Sequence, residues 1–217
     1  MSYLTDYIAR IRAWVDDEDL DDATVTEWIR DAEERMNNEL RTVEQIHRDY
    51  ATFDDDCALL PPDWQEHIYV RIKGGVPFDY ITPHDYWALR QPPSTSAQPD
   101  PTGGEVYPWP GQKQLYTTIG NTLFVWPSVD PDAGIQVEIA YFRALIPLSS
   151  EKDPVFDRYP SIYRACTLAA GAPFLIEDER FGVFASLATA GIQKANDATR
   201  AGRWSGSPLP PRIRGFG

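Results

Sequence analysis

The spacing of apolar residues in this chain changes twice along its length, and that change restricts the fold more than any other feature. At both ends apolar residues recur every three or four positions, the period of an amphipathic helix. Through the middle, β-branched and aromatic residues alternate with polar ones, the period of a half-buried strand. Leu4, Ile8, Ile11 and Val15 predict a helix over 3–15, and Asp16-Asp17-Glu18-Asp19 ends it as a solvated connector. Val25, Trp28, Ile29, Ala32, Met36 and Leu40 form the stripe of a second helix, roughly 23–42, with Asp31, Glu34 and Asn38 on its polar face. Thr24-Val25-Thr26-Glu27 has the form of a capping box; Asp21 and Asp22 are the alternative caps. A short acidic turn between two amphipathic helices implies an antiparallel hairpin.

In the middle, strands are expected near 45–53, 57–60, 65–73, 76–81, 114–119, 122–126 and 135–142. Gly74-Gly75 reads as a tight turn, and Gly120-Asn121 as the two-residue turn of a hairpin. Thr82 followed by Pro83 opens a short helix to Arg90. Residues 91–112 carry Pro92, Pro93, Pro99, Pro101, Pro108 and Pro110 with Gly103-Gly104, which predicts a long exposed loop. Helix returns over 160–203. Ile162, Ala165, Cys166, Ala169 and Ala170 share a face, Pro173 breaks it, and Asp178 caps the next helix. There Phe181, Phe184, Leu187, Ala188, Gly191, Ile192 and Ala195 are expected to face inward.

The class is therefore α+β. An acidic N-terminal helix hairpin (1–43) and C-terminal helices (153–203) complete one helical bundle, around an inserted antiparallel β-rich domain (44–152). An extended C-terminal arm (204–217) comes last. No apolar run approaches the roughly 20 residues that span a bilayer, so no membrane is expected. The first residues lack the basic and apolar regions of a secretory leader. Two cysteines, Cys57 and Cys166, point to free thiols in a reducing compartment.

The net charge is −13, and residues 1–66, with 19 acidic and 6 basic side chains, carry all of it. Such a surface repels nucleic acid, which excludes a general DNA-binding module while suiting a wall past which DNA must slide. After Asp197 there is no acid, only Arg200, Arg203, Arg212 and Arg214.

The motifs of common chemistries are missing. His47, His67 and His84 stand in no HExxH or paired spacing, and the two cysteines are too far apart in sequence for a zinc knuckle. No GxGxxG, GxxxxGK[ST] or GxSxG occurs. The acidic run from Asp17 has Asp22 and Trp28 where a calcium loop needs Gly and Glu. Cys166, on an alanine-rich face, reads as an inert thiol. No catalytic residue, metal or cofactor is expected. The rival reading is a glycan-binding module or small hydrolase using Trp64, Trp109 and Trp126 of the aromatic β region.

Four stretches, in order, are more specific. Ala32-Glu33-Glu34-Arg35-Met36-Asn37-Asn38-Glu39-Leu40-Arg41 is similar to an "AExxINxxLR" helix; Leu59-Leu60-Pro61-Pro62-Asp63-Trp64 to "LPxDF/W"; Phe78-Asp79-Tyr80-Ile81-Thr82-Pro83-His84-Asp85-Tyr86 to "LxYxxPxxL"; and Arg203-Trp204-Ser205-Gly206-Ser207-Pro208-Leu209 to "RYSGSPL". With the order of elements, these resemble the head–tail adaptor (connector) proteins of tailed bacteriophages. Residues 91–112 depart from that pattern, being longer and richer in proline.

The resemblance implies a non-enzymatic virion protein at the neck, made in the host cytoplasm. It implies a homo-oligomeric, twelve-fold ring between the portal protein and a tail or nozzle protein, with double-stranded DNA passing through without sequence-specific binding. The arm Arg203, Trp204, Ser205, Gly206, Ser207, Pro208, Leu209, Pro210, Pro211, Arg212, Ile213 and Arg214 would bind the portal. Acids among Asp6, Asp16, Asp17, Glu18, Asp31 and Glu34 would line or rim the channel.

Overall fold

The computed structural model describes residues 3–17, 19–53, 57–90, 114–126, 136–174 and 181–204. The chain divides into two compact units, Met1–Gln45 with Ala144–Gly217, and Ile46–Arg143. Glu18, Trp109, Asp178, the Pro-rich stretch 91–112 and arm residues 205–217 lie outside the described residues.

The first unit holds helices α1 (Tyr3–Val15) and α2 (Asp22–Glu39). Asp16, in the left-handed region at φ 63°, ends α1, and its N–H donates to the Arg12 carbonyl at 2.9 Å. Arg12 then closes the turn, donating through Nε to the Leu20 carbonyl at 2.6 Å and pairing with Asp22 at 2.7 Å. Asp21, rather than Thr24, caps α2: its carboxylate accepts from the Thr24 N–H at 2.8 Å and hydroxyl at 3.0 Å. The helix starts at Asp22, so Thr24 sits inside the first turn, and its hydroxyl is spent on the cap. Val25, Trp28, Ile29, Met36 and Leu40 are buried as the stripe predicts.

After α3 (Pro83–Arg90), which belongs to the second unit, come α4 (Pro154–Arg158), α5 (Pro160–Gly171) and α6 (Phe181–Trp204). The short α4 was not expected; Asp153 caps it, accepting the Val155 N–H at 2.6 Å, with Pro154 in the first turn. Pro173 stops α5, leaving one 3-10 turn over Ala172–Phe174. One core joins Ile8, Ile11, Trp28, Met36, Tyr163, Cys166, Leu168 and Ile192.

Two expectations for α6 need correction. Leu187 is 56% exposed rather than inward. The buried stripe is Ala188, Ile192, Ala195 and Thr199, and at Gly191 a β-carbon would lie 3.0 Å from Ile162 Cγ1. A helix seated this closely on small residues turns the large neighbour of Ala188 to solvent. Trp204, expected in an extended arm, continues the α6 backbone, while Arg203 is helical as expected; no proline between 181 and 208 stops it.

The second unit has two sheets. One orders β1 (Ile46–Ala51), β7 (Val137–Arg143) and β3 (Trp64–Ile72) with β7 central and both pairings antiparallel. The other orders β2 (Cys57–Leu59), β6 (Thr122–Trp126), β5 (Leu115–Ile119) and β4 (Asp79–Tyr80). The expectation of a wholly antiparallel region fails at β4, which pairs with β5 in parallel. Their connection is long and carries α3, as parallel neighbours require. Residues of both sheets, Val70, Val137 and Ile139 with Ala58, Leu123 and Val125, share a core. The two predicted turns form, with Gly74 at φ 77° and Gly120 at φ 59°. Thr82 caps α3, accepting the Asp85 N–H at 3.2 Å while Asp85 accepts the Thr82 hydroxyl at 2.8 Å.

Candidate assembly surfaces

The run from Ala32 to Arg41 has a structural task at each of its fixed positions. Ala32, Met36 and Leu40 are buried. Glu33 accepts the Leu148 N–H at 2.7 Å, and Asn37 accepts the Leu145 N–H at 2.8 Å. Asp153 accepts the N–H of Ile146 at 2.7 Å. Pro147 has no N–H, so every donor of the extended segment 145–148 is met by a side chain instead of a strand. Arg41 donates to the Asn37 and Leu40 carbonyls at 2.8 and 2.7 Å. Asn196 of α6 accepts the Arg41 N–H at 2.7 Å and donates to the Glu39 carbonyl at 2.8 Å, closing the end of α2. Burial pushes the Glu33 carboxyl above its ordinary range; the Leu148 bond opposes this, and the Asp153 charge adds to it. The roles of Glu33 and Asn37 were not read from the sequence, although polar residues one turn apart beside an apolar stripe are a signal for them.

The outward face of α1, α5 and α6 is apolar. Trp14 is 46% exposed and carries the Arg164 guanidinium 4.2 Å from its ring centroid. This pair borders two grooves. One of about 370 Å³ is lined by Ile162, Ala165, Leu168, Phe184, Leu187 and Gly191. The other, of about 300 Å³, is lined by Tyr7, Ile11, Phe156 and Pro160. Along α6, exposed Val183, Leu187, Ala190 and Lys194 repeat at helical spacing, so the helix has a second, outward stripe.

Of the candidate channel acids, Asp6 lies on α1, Asp16 and Asp17 in the following turn, and Asp31 and Glu34 on α2. All except half-buried Asp17 are exposed. Asp17 accepts the Asp19 N–H at 3.0 Å. Of the arm, the described part is the helical backbone of Arg203 and Trp204.

In the second unit the histidines are separate. His47 on β1 and His84 on α3 are exposed. His67 on β3 is half-buried, its ring stacked on Tyr80 at 5.4 Å and against the edge-on Tyr116 at 5.3 Å. Desolvation lowers its pKa, against the opposing charge of Glu66. Asp63 of the Leu-Pro-Pro-Asp-Trp stretch accepts the Tyr141 hydroxyl at 2.9 Å, tying that loop to the central strand. Trp64 packs partly buried on the core. Glu138 is buried on β7. It accepts the Tyr69 hydroxyl at 2.7 Å and two Arg71 nitrogens at 2.9 and 3.2 Å, which hold its carboxyl below the usual range. A cleft of about 560 Å³ beside β1 and β2 is lined by Tyr50, Cys57 and Leu59, and among the described residues Asp49 is its one carboxylate. Among the described residues, no three His, Cys, Asp or Glu side chains gather as a metal-holding group. Nor is any helix there long and apolar enough to cross a membrane.

No curated protein matches this chain. A family model described as SU10 adaptor protein matches residues 2–212, nearly the whole chain. The match takes in both units and the α2 run whose side chains hold segment 145–148, and it agrees with the resemblance to phage head–tail adaptors: the chain belongs to the SU10 adaptor protein family.

Proposed function

We propose that this chain is a structural, non-enzymatic virion protein, an adaptor that joins the portal to the tail at the neck of a tailed phage. The observation that carries this is the SU10 adaptor match over residues 2–212. In this reading twelve copies form a ring through which the genome passes, with a tail or nozzle protein on the far side. Charge supports a conduit: the excess of acid in residues 1–66 disfavours the phosphate contacts that would hold DNA by counterion release. Candidates for the wall are Asp6, Asp16, Asp17, Glu18, Asp31 and Glu34.

The arm is the proposed portal anchor. Beyond the end of α6, residues 205–217 would span about 43–47 Å if fully extended. Leu209 and Ile213 offer apolar anchors, Arg212 and Arg214 offer forked donors for carboxylates, and Pro208, Pro210 and Pro211 limit the entropy lost on docking.

Negative-stain imaging of the purified protein, alone and mixed with portal particles, tests the reading. Rings with a central hole that seat on the portal are expected. A protein that stays monomeric and leaves the portal bare would overturn it.

A further inference from the structure

The outward face of α1, α5 and α6 is cationic at its border. Among the described residues, its two grooves are bordered by Arg10, Arg164 and Lys194 and by no carboxylate. This occurs in a chain of net charge −13. Its floor is apolar, and Leu187 at 56% and Trp14 at 46% exposure stand at the rim. A contiguous apolar patch edged by cations fits a partner that is apolar at its centre and acidic at its border.

The same unit presents such a surface elsewhere. Glu27, Asp31 and Glu34 are exposed at four- and three-residue spacing along α2, and with the exposed Arg30 among them the stripe keeps a net acidic charge. A further groove, of about 370 Å³, lies along that helix, lined by Leu4, Ile29, Pro147, Glu33 and Glu34 with Arg30. No α2 residue lines either groove of the cationic face. The two surfaces are therefore distinct and available at once.

We infer that the cationic apolar face of α1, α5 and α6 receives the acidic α2 stripe of a second copy of this chain. Pairing the cationic face with itself would oppose Arg10, Arg164 and Lys194 to their own copies, which disfavours a two-fold dimer. A contact between two different faces is head-to-tail, and such contacts close into rings when the rotation between copies divides the circle. The inference rests on the ring reading and assigns its seam. Asp31 and Glu34 then belong to the seam, and Asp6, Asp16, Asp17 and Glu18 remain as candidates for the channel wall.

Charge reversal on each side tests this, with mass measured by analytical ultracentrifugation at micromolar concentration. One variant carries Arg10→Glu, Arg164→Glu and Lys194→Glu; the other carries Glu27→Lys, Asp31→Lys and Glu34→Lys. The wild type is expected to assemble, and each variant alone to associate about a hundredfold more weakly, because like charges then face each other. A one-to-one mixture of the variants is expected to assemble again, since each cationic surface then meets an acidic one; that recovery also shows both to be folded. Leu187→Asp, at an exposed position, is expected to weaken assembly with an unchanged circular dichroism spectrum. Variants that assemble as the wild type does, or a mixture that fails to recover, overturn this seam and leave the ring intact. A monomeric wild type overturns the ring and the seam together.

Discussion

The indole of Trp28 lies so close to the backbone of Gly171 that a β-carbon built there would stand 2.4 Å from Trp28 Cε3. Trp28 is wholly buried in α2, and Gly171 is the last residue of α5. The absent side chain of one residue is thus the seat of the largest side chain of the other, and it sets how closely the two helices pack. The ring and the helix backbone it meets are both rigid, so the contact has little room to relax.

Gly171→Ala is expected to destabilise the protein by about 1–3 kcal/mol, as overpacking does, even though glycine to alanine in a helix ordinarily gains up to about 1 kcal/mol. Trp28→Ala should cost about 3–5 kcal/mol. Because the two share one space, the double variant should be less destabilised than the sum. Urea unfolding of the four proteins measures this. A Gly171→Ala protein as stable as the wild type would contradict the packing.

Glu33 makes stability depend on pH. Its carboxyl is raised above the ordinary 4.5 mainly by burial, so the folded state holds the proton more tightly than the unfolded chain does. The associated stabilisation is complete below about 4.5 and is lost as pH rises through the raised value. Glu33→Gln keeps an oxygen for the Leu148 N–H without the charge. Relative to that variant, wild-type stability should fall between about pH 4.5 and neutrality; a flat difference in thermal unfolding across that range would refute the assignment.

Asn196→Ala removes both bonds that close the end of α2, to the Arg41 N–H and the Glu39 carbonyl. A loss of about 1–2 kcal/mol is expected, since the part-buried bond to the Arg41 N–H is lost and the exposed Glu39 carbonyl turns to water. Asn38→Ala, at an exposed position of α2, should change stability by less than about 0.5 kcal/mol. Equal effects at the two sites would show that Asn196 is not a cap.

The two thiols should react at very different rates. Burial raises the Cys166 thiol to about 11, which leaves only about one part in a thousand as thiolate at about pH 8. Cys57 is half-buried on the edge strand β2. Brief treatment with iodoacetamide, read by mass spectrometry, should modify Cys57 first and Cys166 only after unfolding. Modification of Cys166 in the folded protein would contradict its burial.

Removing residues 205–217 should leave thermal unfolding unchanged, because the deletion begins beyond the end of α6. The truncated protein is expected to lose stable docking on portal particles in a co-sedimentation assay. Undiminished binding would mean that the arm is not the anchor.

Features governed by near neighbours were legible in the sequence. The stripe from Val25 to Leu40, the glycine turns at 74 and 120, the Thr82 cap and the stop at Pro173 depend on a few consecutive residues. In each case, side-chain period, φ preference or a missing N–H acts over one turn of chain. Features that depend on what an element meets were decided by tertiary structure. Leu187 and Ala188 are both apolar and adjacent, and only the close seat of α6 on α5 buries one and exposes the other. Strands β4 and β5 looked like any strands, and their parallel pairing reflects the path of the chain between them. Glu33 and Asn37 read as ordinary polar positions of a helix. They acquired their roles because segment 145–148, more than a hundred residues away, brings donors that only they can satisfy. Local sequence sets the period and the turns, while burial and hydrogen-bond completion depend on distant partners, and these exist only once the chain has packed.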